Sequence, residues 1–132
     1  EKVELLLRST VVNILGNDVG KVPQHIAKDV DDRIQRAARK NASLDTEHLQ
    51  TLAGKLEYFD LRELQGLITN NALWDKFSPH FLNKPMLETK FNQLAELRNS
   101  IRHSRHVDEI TRKEGEAAIL WFKHVAQKPI SG

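Results

Sequence analysis

The chain has 132 residues, of which 39% are hydrophobic and 29% are charged, and its formal net charge is +2. This composition is typical of a folded globular protein and excludes a disordered chain, while so small a net charge does not by itself identify a nucleic-acid partner. The absence of cysteine excludes disulfides, thiolate metal sites and a cysteine nucleophile, and it fits the cytoplasm, or the nucleus if the source is eukaryotic.

At this length one domain over residues 1–132 is expected. Because the chain starts at Glu1 and not at methionine, and ends in KPISG, we expect it to be a fragment of a longer protein. Its apolar stretches fall far short of the ~20 residues needed to cross a bilayer, and Glu1 and Glu4 stand where a signal peptide would be basic. No membrane partner is therefore expected.

Two helices are predicted in the first third of the chain. Residues 1–15 form the first, with Gly16 as its C-cap. Its apolar stripe consists of Val3, Leu7, Val11 and Ile14. Residues 23–40 form the second, with Pro23 in the first turn. Its apolar face consists of Ile26, Val30, Ile34 and Ala37.

The middle of the chain predicts shorter helices. After the polar break KNASLDTEH, a short helix is predicted through Leu49, Leu52 and Leu56. Asp60 and Glu63 form a start signal for the next helix. Its apolar residues are Leu61, Leu64, Leu67 and Ile68. In ALWDKFSPHF we expect one short helical turn, with Trp74 and Phe77 in the core, and then a break at Pro79.

The last two predicted helices are long. Pro85 is placed early in the penultimate helix. Its apolar stripe consists of Met86 or Leu87, Phe91, Leu94, Leu97 and Ile101. Thr111 and Glu114 form a capping-box signature for the last helix. Its apolar residues are Ala117, Ala118, Trp121, Phe122 and Val125. The sequence therefore predicts an all-α bundle of about five main helices.

The stretch AELRNSIRHSRH places three arginines, an asparagine and two histidines between Arg98 and His106. At ~100° per residue, Arg98 and Arg102 lie on one flank of the apolar stripe, and Asn99 and His103 lie on another. Arg98 and His103 are then separated by ~140° around the helix. They can address one ligand only if the helix loosens there, or if a second copy of the site faces the first.

Three interpretations of this stretch compete. Cations near a helix C-terminus are favoured by the backbone dipole without any function. A metal site at His103 and His106 is disfavoured, because Arg102 and Arg105 repel a cation and no carboxylate or thiolate completes the set. Phosphoryl transfer on RNA suits these groups best, since a histidine can move the proton of a 2′-hydroxyl and an arginine can hold the phosphate oxygens. This chemistry requires no metal and no other cofactor.

The residues RNSIRH, Arg98 to His103, resemble the Arg-x4-His motif of the HEPN superfamily, which comprises all-α domains. As is typical of that group, the motif ends a long penultimate helix, has a polar asparagine straight after the arginine, and precedes a short loop and a last helix. From about Leu56 to Val125 the chain resembles in particular the HEPN domain of a transcription-linked RNA-processing family and its bacterial relatives, through LRELQGLI, LWDKF, LAELRNSIRHSR and GEAAILWF. The first 40 residues match only in their helical pattern.

This resemblance implies a metal-independent endoribonuclease that acts as a homodimer, with two motifs facing each other in one composite site and a 2′,3′-cyclic phosphate left on one product. Arg98 and His103 are then the catalytic residues, and Asn99 is the supporting polar residue. From local charge alone, further RNA contacts are predicted at Arg102, Arg105, His106, Arg112 and Lys113.

Two other functions stay open. Some HEPN domains are non-catalytic RNA-binding or dimerisation modules, or partners of an antitoxin or of flanking domains. A plain helical interaction domain requires the motif to be a coincidence.

Overall fold

The computed structural model describes residues 2–103 and 106–126. These residues form seven helices and two short 3₁₀ turns, at Val19–Lys21 and His48–Gln50, and they contain no strand. The helices are α1 (Lys2–Leu15), α2 (Gln24–Lys40), α3 (Leu52–Leu56), α4 (Leu61–Ile68), α5 (Trp74–Phe81), α6 (Lys84–Arg102) and α7 (Glu109–Ala126). The prediction of an all-α helical bundle is confirmed, and no helix in these ranges is both long and apolar enough to cross a membrane.

Several helix ends follow directly from the sequence. Gly16 ends α1 in the left-handed region, at φ +73°, which costs a glycine little. Asp60 and Glu63 form a complete capping box at α4: the Glu63 amide donates to Asp60 Oδ1 at 2.7 Å, and the Asp60 amide donates to Glu63 Oε1 at 2.9 Å. Asn83 caps α6, with Pro85 in its first turn.

Buried apolar side chains from all seven helices form one cluster, and its centre is aromatic. Phe91 on α6 and Phe122 on α7 are fully buried and meet edge to face, with ring centroids 5.0 Å apart. α6 and α7 pack against each other along their lengths, and α1 packs against α7. Both α1 and α6 also contact α4. This arrangement brings the start of α1, the start of α4 and the end of α6 to one side of the bundle.

Three predictions about the elements are wrong. Pro79 does not break the segment, because α5 continues through it to Phe81. Burial of Phe77 and Phe81 offsets the ~3 kcal/mol that an interior proline costs. Ile101 is 63% exposed, so the apolar stripe of α6 ends at Leu97. The last helix begins at Glu109 and not at Thr111, because Asp108 accepts the Thr111 amide at 2.8 Å.

Candidate functional site

Arg98, Asn99, Arg102 and His103 lie in the last turns of α6, which stays regular to its end. The His103 amide donates to the Asn99 carbonyl at 3.0 Å, and His103 is the C-cap residue. Its side chain is exposed. Because the helix does not loosen between Arg98 and His103, the two side chains of one copy do not converge. Arg98 lines a cleft that His103 does not line.

Arg98 is ion-paired with Glu4 in the first turn of α1. Glu4 is only 8% exposed, and its carboxylate also accepts from Arg8 Nη2 at 3.3 Å. Arg8 in turn donates to the Phe59 carbonyl at 3.3 Å. A buried carboxylate requires a charged partner, and here two guanidinium groups share one carboxylate. The three side chains together therefore keep one positive charge.

The cleft beside this ion pair has a volume of about 270 Å³ and lies between α1, α4 and α6. It is lined by Glu4, Asp60, Leu61, Arg62, Ala95, Arg98, Asn99 and Arg102. Three arginines and two carboxylates thus share its wall. Glu4 is held by two arginines, whereas Asp60 caps α4 and keeps its negative charge. With three guanidinium groups against two carboxylates, the lining has a formal charge of +1, which favours an anion over a cation.

The predicted RNA contacts are only partly brought together. Arg102 is exposed and lines the cleft. His106 is exposed in the loop before α7, and Arg112 and Lys113 are exposed in the first turns of α7, where Lys113 pairs with Glu109 at 3.0 Å. None of these three residues lines the cleft. Arg105 lies outside the described residues.

Asp108 directly precedes α7 and accepts two hydrogen bonds from the first turn of that helix. Its two carboxylate oxygens accept from the amide and the hydroxyl of Thr111, at 2.8 and 3.0 Å. These hydrogen bonds lower the pKa of Asp108 below its ordinary value, and the bond from the amide has the largest effect. Electrostatic attraction to His106 lowers the pKa by a smaller amount. Asp108 thus caps the start of α7 and stays ionised there.

Two cleft residues that the sequence did not reveal are Glu4 and Arg62. Glu4 had a detectable signal, because it lies three residues before Leu7 and seven before Val11, on the apolar face of α1. A carboxylate at such a position needs a buried cation. Arg62 had no detectable signal in the sequence, since an arginine between Leu61 and Glu63 is ordinary for the outer face of a helix. Only the packing of α4 against α6 brings it to the cleft.

No family model, no curated protein and no solved structure matches this chain. The resemblance to HEPN domains therefore stays a prediction from the sequence, made from Arg98 to His103 and from the stretch between about Leu56 and Val125. Among residues 2–103 and 106–126, no three histidine or acidic side chains are placed to share a metal ion.

Proposed function

We propose that this chain is a metal-independent endoribonuclease of the HEPN type, whose active site forms when the α6 ends of two copies face each other. The observation that supports it is the division of the motif between two surfaces. Arg98, Asn99 and Arg102 line a cleft that can accept an anion, whereas His103 is exposed at the helix end outside it. A second copy can bring its own His103 to the phosphate that these residues hold.

The surface around His103 is suited to receive that second copy. Ile101 is 63% exposed and Ile110 is 71% exposed, one on each side of the α6–α7 loop. Single exposed apolar side chains are common on protein surfaces, and these two are proposed as the contact because Ile101 lies two residues before His103 and Ile110 lies at the start of α7. Two copies that cover these isoleucines would bring both His103 side chains close together.

The chemistry follows from the side chains. One His103 takes the proton of a ribose 2′-hydroxyl, and the 2′-oxygen attacks the adjacent phosphorus. The bond from phosphorus to the 5′-oxygen breaks, and the leaving oxygen receives a proton from the other imidazole or from water. Arg98 and Arg102 stabilise the charge on the phosphate oxygens, and the Asn99 amide donates to them. The products are a 2′,3′-cyclic phosphate and a 5′-hydroxyl.

The test is cleavage of a mixed-sequence RNA in excess chelator, with analysis of the product ends. Wild type and His124→Ala should give cyclic-phosphate ends, because His124 is an exposed histidine further along α7. His103→Ala should lose activity by ~10²-fold or more, the usual contribution of a general acid or base. Equal activity of the two histidine variants would overturn the proposal.

A second function is favoured by the Glu4 contact. The Glu4 carboxylate already binds part of the Arg98 guanidinium, which is then less available to hold a scissile phosphate. This suits a non-catalytic RNA-binding or dimerisation module, or a domain that binds an antitoxin or a flanking domain. Salt-sensitive RNA binding by wild type without any cleavage would support this module.

A further inference from the structure

Two arginines line the cleft from different helices, and neither is neutralised by a carboxylate among the described residues. Arg62, at the start of α4, donates to Gln65 Oε1 at 2.7 Å and to Asn92 Oδ1 at 2.8 Å. Both acceptors are neutral amides. Arg102, on the last turn of α6, forms no ion pair within residues 2–103 and 106–126. Neither arginine is thus ion-paired among the described residues, although the wall of the same cleft also carries Glu4 and Asp60.

The two amides also hold Arg62 in place. Gln65 lies on α4, one turn after Arg62, and Asn92 lies on α6, so the guanidinium is fastened between the two helices. Neutral acceptors fix its direction without reducing its charge. A phosphate oxygen is a stronger acceptor for a guanidinium than an amide oxygen is. Arg62 is therefore pre-positioned to bind an anion at low entropic cost.

We infer that Arg62 binds a backbone phosphate of single-stranded RNA next to the phosphate addressed by Arg98 and Asn99. The inference rests on the proposed function, in which those two residues hold the scissile phosphate. Successive phosphates of one strand then bind along the cleft, from the end of α6 to the start of α4. The ligand is taken as a single strand because proteins bind single strands through basic grooves that follow the backbone, and this cleft of about 270 Å³ is lined by three arginines.

Binding of a 2′-O-methyl RNA strand tests this contact, because a methylated 2′-oxygen cannot attack the phosphate and the strand stays intact. Arg62→Gln should lower the affinity by on the order of fivefold at low salt. It should also reduce the slope of log affinity against log salt by about 0.7, which corresponds to one phosphate contact on a single strand. The matched control is Arg39→Gln, which removes an exposed arginine at the end of α2 that does not line the cleft. Its slope should equal that of wild type.

A second pair of variants keeps every arginine. Asn92→Asp places a carboxylate at the 2.8 Å contact with Arg62 and should weaken RNA binding as Arg62→Gln does. Asn71→Asp makes the same change at another cation, since Asn71 Oδ1 accepts from Lys84 at 2.9 Å. Lys84 lies fourteen residues before Arg98 on α6, about 21 Å along the helix, so Asn71→Asp should leave binding unchanged.

Equal salt slopes for Arg62→Gln and Arg39→Gln, or equal affinities for the two aspartate variants, would overturn the role of Arg62. Binding of inorganic phosphate but not of the RNA strand would overturn the assignment of RNA as the ligand. If wild type binds the strand with the expected Arg62 effect but never cleaves unmodified RNA, the nuclease proposal fails and the Arg62 contact stands.

Discussion

The guanidinium of Arg98, near the end of α6, is ion-paired with the carboxylate of Glu4 in the first turn of α1. Arg98 has about a quarter of its side chain exposed, and Glu4 about a tenth. The pair thus joins two helices that are distant in sequence and leaves one side of Arg98 facing the cleft. Arg98 therefore has a structural role as well as the proposed catalytic one.

Arg98→Ala should destabilise the fold by about 1–3 kcal/mol, because Glu4 is left buried with Arg8 as its remaining cation. Glu4→Gln should cost less, since the amide needs no counter-charge. The double variant Glu4→Gln/Arg98→Ala should cost less than the sum of the single variants, because removing Arg98 no longer leaves a buried charge. Urea denaturation of the four proteins measures this coupling, and additive costs would contradict the ion pair.

His103→Ala, the variant that should lose cleavage, should keep the stability of wild type. The side chain is exposed at the helix end, so its removal should change the free energy of unfolding by no more than about 0.5 kcal/mol. Loss of cleavage in His103→Ala then reports on chemistry. Loss of cleavage in Arg98→Ala can also come from a weakened fold, because Glu4 is left buried without Arg98. Cleavage is therefore compared with that of Glu4→Gln/Arg98→Ala, which lacks the buried carboxylate.

Local signals in the sequence predicted much of the fold. Asp60 and Glu63 identify the start of α4, and Gly16 the end of α1, because caps are short-range patterns. The same reasoning failed for Pro79, where burial of two phenylalanines outweighs a backbone penalty, and for Ile101, where the periodicity continues after the core has ended.

The candidate site was harder to predict than the helices. The sequence identified Arg98, Asn99 and Arg102, because they lie within about one turn of each other on a single helix. The residues that complete the cleft, Glu4 and Arg62, come from α1 and α4. Their proximity depends on how three helices pack, and short-range periodicity carries no information about that.

Cleavage should depend on protein concentration if two copies form the site. Ile101→Lys and Ile110→Lys each place a charge on a proposed contact surface and should shift the activity to higher concentrations and the oligomer towards monomer. Leu120→Lys is the control, since Leu120 is 67% exposed on α7 but ten residues beyond Ile110. Sedimentation of the three variants, beside their specific activity on dilution, measures the effect. Specific activity that stays constant on dilution of a monomer would contradict the composite site.

Arg33 joins α2 to the start of α4. It donates to both carboxylate oxygens of Glu63, at 2.7 and 3.2 Å, and to the Tyr58 carbonyl. The hydrogen bond to Glu63 raises the pKa of Arg33, so the guanidinium stays charged throughout the usual pH range. Glu63→Gln keeps a capping-box side chain but removes this ion pair, and it should destabilise the fold by about 1 kcal/mol, since Arg33 is partly exposed.

Thermal or urea unfolding of Glu63→Gln beside Glu88→Gln measures this contribution. Glu88 is exposed on α6 and forms none of the ion pairs seen in the described part of the chain, so its variant should match wild type. A Glu63→Gln protein as stable as Glu88→Gln would show that the pair merely orients α2.

The start of α7 should loosen in acid through Asp108. Its folded pKa lies below the ordinary value of 3.8, because the amide and then the hydroxyl of Thr111 donate to the carboxylate. A depressed carboxyl pKa means that the stabilisation is present above about pH 4 and is lost as the pH falls through the lower folded value.

The amide of Thr111, followed by NMR, should titrate at that lower pH. Thr111→Val removes the hydroxyl donor and should raise the Asp108 pKa part of the way towards 3.8, whereas Thr89→Val on α6 should not change it. An Asp108 pKa at or above 3.8 in wild type would contradict its capping role at the start of α7.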